Sequence, residues 1–545
     1  MAAAAGRTAW RGSPDAWVEG SGRGGRRTRS GSAGALPLIT SKGDLMGNAD
    51  GGRKVADLLA DVGFEALGDP EAMVTGIAYA SNKVEPGDAF FCVVGLKSDG
   101  HSYAADAVER GASALVVQRE LDLDVPQFKV GDSRSALALA AARFYGMPSQ
   151  KLSLAGVTGT NGKTTTTYLV EWVARERGLV TGVLGTVETR IGDRRLHAEH
   201  TTPESLDLQD LLSQMVDAGC QQVSMEVSSH AIDLGRILGT HFDVVAFSNL
   251  TQDHLDYHKT MENYFQAKSR LFDRRYSDKA AICIDAEYGR RLADMSRERG
   301  LDVVTVGFAG DADIRVLDVG YASTHTSVSL EVCGRRFGFE YPLIGRFNVE
   351  NVLLAIGICH QLGYDDADTC RALETAPQAP GRLERVTVDG LTAREMHQKL
   401  GFSVFVDYAH TPDAIDNAIA ALRPITEGRL IIVFGCGGDR DRTKRPRMGR
   451  AACAADLMFV TNDNPRTEDP DAIISDILPG MVDGEGRYTV LPDRREAIDA
   501  AIAEAEPGDT VLVAGKGHED YQLVGDEVLW FDDRVVAREA LERLL

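Results

Sequence analysis

The chain has 545 residues, and its 59 Lys+Arg against 81 Asp+Glu give a formal net charge of −22. That length suggests about three or four domains of about 150 residues, and the acidic balance argues against a nucleic-acid-binding body and for a soluble protein. Eight cysteines with no Cys-x-x-Cys pair indicate neither a zinc site nor a disulfide framework, which fits a reducing compartment, and no apolar run approaches the eighteen or so residues of a membrane span.

At the amino end, residues 1–40 carry Arg7, Arg11, Arg23, Arg26, Arg27 and Arg29 against Asp15 and Glu19, amid Ala, Gly and Ser. An organellar transit peptide has such a bias, but is usually richer in Ser and forms an amphipathic helix. The favoured reading is a disordered extension over 1–45, outside the fold, and the chain starts at either Met1 or Met46. From Val55 the stretch VADLLADVG begins an amphipathic helix, and the elements up to about Gln150 are short. Pro86-Gly87-Asp88 is a turn signal before the apolar strand Ala89–Val94. An alanine-rich helix and ASALVVQ follow. This is a small α/β module in which nothing demands catalysis.

The next stretch, SLAGVTGTNGKTTTTYLVEWV, reads as a buried strand, a tight loop and a helix that stops at Gly178. Strand, Gly-rich loop and helix start together make a phosphate cradle. Backbone N–H groups approach anionic oxygens, the helix N-terminus adds positive potential, Lys163 reaches the outer phosphates and Thr164 can hold Mg²⁺. The glycines stand at 156, 159 and 162, whereas the usual P-loop pattern wants one where Val157 stands. Alternating strands and helices continue to about Gly381, predicting a mostly parallel sheet covered on both faces. The strand Gln222–Val227 ends in Glu226, and Asp243–Phe247 leads into a loop carrying His254. Ligands of such sheets sit at the carboxyl ends of strands, so Glu226 and His254 are candidate Mg²⁺ ligands beside Thr164.

From about Arg382 three strands each run into a polar turn: Leu430–Phe434, Leu457–Thr461 and Thr510–Ala514. The strand-end rule clusters these turns along one cleft. They offer Arg440 and Arg466 beside Asp463, Glu519 and Asp520, a set of both signs that suits a zwitterion such as an amino acid.

The segments TGTNGKTT, MEVSSHA, NLTQDHLDYH, YFQAKSRLF, GRFNVEN, DYAHTPD, GCGGDRDRTKRP, TNDNPRTED and GKGHEDYQ occur in this order. They closely resemble the Mur ligases, over Val74 to the carboxyl end, and in particular the diaminopimelate-adding branch of peptidoglycan synthesis. The resemblance implies an α/β protein of three domains. These are a small UDP-sugar-binding module (46–150), a central P-loop ATPase with a mostly parallel sheet (151–381) and a Rossmann-like amino-acid domain (382–545). It also implies a cytoplasmic monomer that uses ATP, two Mg²⁺ ions, UDP-MurNAc-L-Ala-D-Glu and meso-diaminopimelate, with neither nucleic acid nor membrane as partner. Residue by residue, it places ATP on Gly159, Thr160, Asn161, Gly162, Lys163, Thr164, Thr165, Asn351, Arg382, Asp407 and His410. Lys268, in Tyr264-x-x-Ala267-Lys268, matches a lysine that CO₂ converts to a carbamate, which would join Thr164, Glu226 and His254 at the metal; Lys163, His254 and Lys268 are the catalytic set.

The nucleotide-sugar contacts are expected from Ser81, Thr201, Thr202, Ser228 and Arg236, although Ala80, Asn82, His200 and Leu234 depart from common family residues there. Diaminopimelate is expected on Arg440, Asp463, Asn464, Pro465, Arg466, Gly515 and Glu519, with Arg466 recognising the second carboxylate that lysine lacks. Competing readings are a folylpolyglutamate synthase, a lysine-adding relative and a non-catalytic plastid scaffold. The first is opposed by the loops after Phe434 and Thr461, the last by intact Lys163, Glu226, His254 and Lys268.

Overall fold

The structure, a computed structural model, describes residues 52–95, 98–482 and 487–545. The expected extension over 1–45, and both Met1 and Met46, lie outside the described residues. A five-stranded sheet comes first, in the order Phe64–Leu67, Gln127–Val130, Ala114–Val117, Asp88–Phe91, Gly76–Ala78. The helix expected over VADLLADVG is only Val55–Leu58. The chain turns after Leu59 because Phe64–Leu67 must pair antiparallel with Gln127–Val130, and sheet pairing overrides local helix propensity. The strand expected over Ala89–Val94 is likewise Asp88–Phe91.

The second sheet has eleven strands. Seven run parallel, in the order Thr181–Leu184, Gln222–Glu226, Ser153–Thr158, Val244–Phe247, Lys279–Cys283, Asp302–Gly307, Ile314–Tyr321. Antiparallel strands flank them, Thr189–Ile191 and Arg194–Leu196 on one side and Thr326–Val332 and Arg335–Tyr341 on the other. Both faces are covered, as the near-continuous apolar strands require. Ala155, Val157, Val244 and Ala246 pack with Leu169, Val170 and Val173 of the helix Lys163–Glu176. Leu154, Met225, Val245 and Phe247 pack on the opposite face with Tyr264 and Phe265 of the helix Met261–Ser269. Each fully buried aliphatic or phenyl side chain contributes about 1.5–3 kcal/mol, so the two layers hold the strand ends in fixed register.

The third sheet has six strands in the order Glu384–Arg385, Ser403–Asp407, Thr510–Ala514, Leu430–Phe434, Leu457–Val460, Arg487–Val490, parallel except for the first pair. It joins the central sheet at Gly381. Tyr408 N donates to the Gly381 carbonyl at 2.9 Å, and a Cβ on Gly381 would stand 2.1 Å from His518 N and 2.2 Å from Gly517 C. The first sheet is tied to the central one by Tyr79, whose hydroxyl donates to Asp207 at 2.6 Å, and by Glu204. That carboxylate pairs with Arg134 from one side and Arg236 from the other, each at 2.9 Å. No helix among the described residues is long and apolar enough to cross a membrane.

Candidate active site

The strand Ser153–Thr158 gives way to a loop at Gly159, and the helix Lys163–Glu176 begins four residues after that glycine. Gly156 belongs to the strand, where Phe242 packs against it, and Val157 is fully buried in the core. The unusual glycine spacing therefore reflects a loop confined to Gly159–Gly162. Gly162 adopts φ +85°, and a Cβ there would lie 2.2 Å from Asn351 Oδ1. Only glycine fits that left-handed conformation against a neighbouring side chain at no steric cost, and Asn351, from the helix Arg346–Gln361, is thereby brought onto the loop. The loop is further braced by Asn249, which accepts from Asn161 N at 2.9 Å through its side chain and from Thr160 N at 2.9 Å through its carbonyl. Thr164 and Thr165 are buried in the first helical turn.

Lys163 Nζ donates to the carbonyls of Gly159 at 3.1 Å and Thr160 at 2.9 Å. Lys268 Nζ, arriving from the opposite face of the sheet, donates to the same Gly159 carbonyl at 2.8 Å. Burial, reinforced by the Lys163 charge, holds the Lys268 amine well below the ordinary lysine value, against the opposing pull of Asp253. Burial also lowers Lys163, whereas Glu226 works to raise it. An uncharged amine is the form that can attack an electrophile, so Lys268 is chemically poised in a way that a surface lysine is not.

Glu226 is 1% exposed. Its Oε1 accepts from Thr164 Oγ1 at 2.9 Å and Thr186 N at 2.8 Å, and its Oε2 from Thr186 Oγ1 at 3.1 Å. A hydroxyl and a carboxylate side by side at a phosphate loop are hard oxygen donors that fit a divalent cation such as Mg²⁺. His254 has φ +52° and stands with its ring 4.9 Å from that of His230 and 6.2 Å from that of Tyr264. Burial lowers its pKa, which leaves the neutral imidazole that metal coordination needs.

Four of the five residues expected at the nucleotide sugar converge around this carboxylate. Thr201 Oγ1 lies 3.0 Å from Thr186 Oγ1, and Thr202 Oγ1 donates to the Glu226 carbonyl at 2.9 Å. Ser228 N donates to Thr202 Oγ1 at 3.0 Å, and Arg236 Nη1 to the Thr202 carbonyl at 3.0 Å. The fifth, Ser81, lies in the first domain on the turn Ser81–Lys83, where its hydroxyl helps hold the Asp106 carboxyl below its usual value. Of the departing residues, Ala80 precedes that turn, Asn82 and His200 are exposed, and Leu234 caps the helix Ser229–Asp233.

At the joint, the Arg382 guanidinium stacks 4.7 Å from the centre of the Tyr408 ring, with its Nε buried and unpaired. Asp407 accepts from Leu383 N at 2.6 Å. Its burial pushes the carboxyl upward, with the Arg382 charge opposing. His410 Nδ1 donates to the Tyr408 carbonyl at 2.7 Å.

In the third domain the three strand-end turns do meet. A Cβ on Gly438 would stand 1.9 Å from the Pro465 carbonyl oxygen, and one on Gly437 would stand 2.9 Å from Arg466 Nη1. Arg466 Nη1 donates to the Gly438 carbonyl at 2.8 Å, and Arg440 Nη1 to its neighbour's, Asp439, at 3.3 Å. Asp463 abuts Gly515, with Oδ2 2.6 Å from the place of a Cβ there. Glu519 accepts from Asn464 Nδ2 at 2.9 Å and from the Tyr408 hydroxyl at 3.4 Å. The turns thus gather Arg466, Asp463, Asn464 and Glu519, with Arg440 exposed beside Gly437. Sequence reasoning missed Thr186, Asn249, Asp253 and Lys516. Asn249 and Asp253 sit inside a segment already singled out, NLTQDHLDYH, but Thr186 carries no sequence signal because its partner is 40 residues away.

The matches to known proteins agree with this geometry. Residues 73–150 match the Mur ligase family catalytic domain, 157–359 the Mur ligase middle domain, and 394–517 the Mur ligase glutamate ligase domain. A UDP-N-acetylmuramoyl-L-alanyl-D-glutamate–2,6-diaminopimelate ligase of Geobacillus thermodenitrificans is 45% identical over 87% of this chain and 96% of its own length. A protein of the same name from Gloeobacter violaceus is 44% identical over 90% and 98%. A solved structure bearing that name is similar with a TM-score of 0.68 at 32% identity, covering 90% of this chain and 99% of the other.

Proposed function

The chain belongs to the Mur ligase family, and we propose that it joins meso-2,6-diaminopimelate to the D-Glu γ-carboxylate of UDP-MurNAc-L-Ala-D-Glu at the expense of ATP. The observation that carries the choice of amine is the pair Arg440 and Arg466 flanking Gly437, where the turns bearing Asp463 and Glu519 meet. A diacid diamine has one more carboxylate than lysine to offer, and an arginine left without it would penalise lysine.

A carboxylate is a poor acceptor because oxide is a poor leaving group. Transfer of the γ-phosphoryl group of ATP to the D-Glu carboxylate gives an acyl phosphate, whose leaving group is phosphate. The amine of diaminopimelate then attacks the acyl carbon, and the tetrahedral intermediate collapses to amide and phosphate. Lys163 and the N–H groups from Gly162 to Thr164 would neutralise and position the transferring phosphoryl. Mg²⁺, held by Thr164, Glu226, His254 and a carbamate on Lys268, would spread the charge of the phosphate oxygens when bound. Arg382, Asp407 and His410 would contact the nucleotide from the joint, and closure of the third domain would keep water from the acyl phosphate. A cytoplasmic monomer belongs to the same proposal.

The test is phosphate release from ATP with UDP-MurNAc-L-Ala-D-Glu and diaminopimelate, lysine or no amino acid. Release should require diaminopimelate, and equal turnover with lysine overturns the choice of amine.

A further inference from the structure

Lys516 lies between two glycines after the strand Thr510–Ala514 and is fully buried. A lysine is almost never buried without partners, and this one uses its three donors on three different groups. Nζ reaches Asn464 Oδ1 at 3.3 Å, Glu519 Oε2 at 3.5 Å and the Tyr521 carbonyl. Asn464 is one of the residues that sequence reasoning assigned to the amino acid, and its side-chain amide could face either way. Here Oδ1 accepts from both Lys516 Nζ and, at 3.0 Å, Leu523 N. A flipped amide would point its NH₂ at two donors, so only one orientation is tolerable. In that orientation Nδ2 donates to Glu519 Oε2 at 2.9 Å. Oε2 is thereby engaged by Asn464 and Lys516, while Oε1 keeps only the long contact from Tyr408.

We propose that Lys516 is a positioning residue for the incoming amino acid: it fixes the Asn464 amide and the Glu519 carboxylate so that Oε1 is presented to the substrate ammonium. This rests on the functional reading above and adds to it a residue whose hydrogen bonds all lie within the third domain. Lys516 acts through Asn464 and Glu519, so its removal should be felt at one substrate only. The neutral Lys516→Met keeps most of the side-chain volume and withdraws the donors. Asn464→Asp keeps Lys516 paired but withdraws the donor to Glu519 and sets a second carboxylate beside it.

The experiment is steady-state ligation by the full chain, varying each substrate in turn. Lys516→Met should raise KM for diaminopimelate by about tenfold or more, with KM for ATP and for UDP-MurNAc-L-Ala-D-Glu within about twofold of the parent. Asn464→Asp should do the same, which keeps the proposal testable if Lys516→Met does not fold. Combined with Glu519→Gln, Lys516→Met should add little further loss, because both changes remove one arrangement. A general fall in kcat with unaltered KM for diaminopimelate, an equal rise in all three KM values, or full additivity with Glu519→Gln overturns the assignment. If the parent chain shows no diaminopimelate-dependent turnover, the functional reading itself falls and this assignment with it. An active parent whose two variants keep its KM refutes the role of Lys516 alone.

Discussion

The Gly159 carbonyl accepts from Lys163 at 3.1 Å and from Lys268 at 2.8 Å, so two amines that would repel each other as ammonium ions share a single acceptor. One relief is for the more deeply buried amine to lose its proton, the direction in which burial and the Lys163 charge drive Lys268. Addition of CO₂ would then turn a repelled cation into an anion beside Lys163, reversing the sign of their interaction. Lys268→Ala should therefore lower ligation by about a hundredfold or more, and millimolar formate or acetate should restore part of it by supplying the missing carboxylate. Turnover of Lys268→Ala at the parent rate would remove the carbamate from the mechanism. The stacked ring of His258, 4.9 Å from that of Tyr264, and the Tyr264 ring under the Lys268 amine at 4.7 Å leave the lysine little freedom to swing away.

Among the elements, the three strand-end turns of the third domain depend on close backbone approach more than on side-chain pairing. Gly438→Ala would drive a methyl group into the Pro465 carbonyl oxygen, 1.9 Å from the ideal Cβ position. Backbone cannot yield as a flexible side chain can. The variant should lose diaminopimelate-dependent turnover by at least about tenfold while the central domain still binds ATP, as read by nucleotide protection against thermal unfolding. Equal loss of nucleotide binding would show that the substitution spoils more than this cluster. The strands behind these turns were legible from sequence because runs such as Leu430–Phe434 and Thr510–Ala514 are apolar without a break and end in polar turns. The helix at Val55 begins where the sequence places it but stops at Leu58, because its length is decided by the pairing of Phe64–Leu67 with a strand some sixty residues on, about which local periodicity says nothing. Glu226 could be singled out as a carboxylate at a strand end. Thr186 could not, since its importance lies in hydrogen bonds to a partner 40 residues away; Lys516 stands inside the segment GKGHEDYQ and is set apart by its burial and its bond to Asn464, 52 residues away.

Across the whole molecule, Glu204 is the point at which the first and central sheets share a charge. Arg134 and Arg236 both depend on it, and all three side chains are less than a quarter exposed, so the network is only weakly screened by solvent. Glu204→Gln would leave two guanidinium groups facing each other without their common carboxylate. It should raise KM for UDP-MurNAc-L-Ala-D-Glu by about tenfold and leave KM for ATP unchanged. An unaltered muropeptide KM would make the network a matter of stability alone.

The joint at the other end is different in kind. Gly381 abuts Gly517 and His518, the Gly381 carbonyl holds Tyr408, and Arg382 follows directly. The residue proposed to contact the nucleotide and the turn proposed to hold the amino acid are thus mounted on one joint. For a lineage changing its diet of amines, this divides the protein into parts that can be rewritten and a part that cannot. The side chains at the tips, Arg440 and Asp463 to Arg466, could be exchanged to select a new amine under the proposed site, whereas Gly437 and Gly438 between them leave no room for a methyl group. A single methyl group at Gly381 would instead disturb both substrates at once, so novelty in this architecture has to enter through the tips.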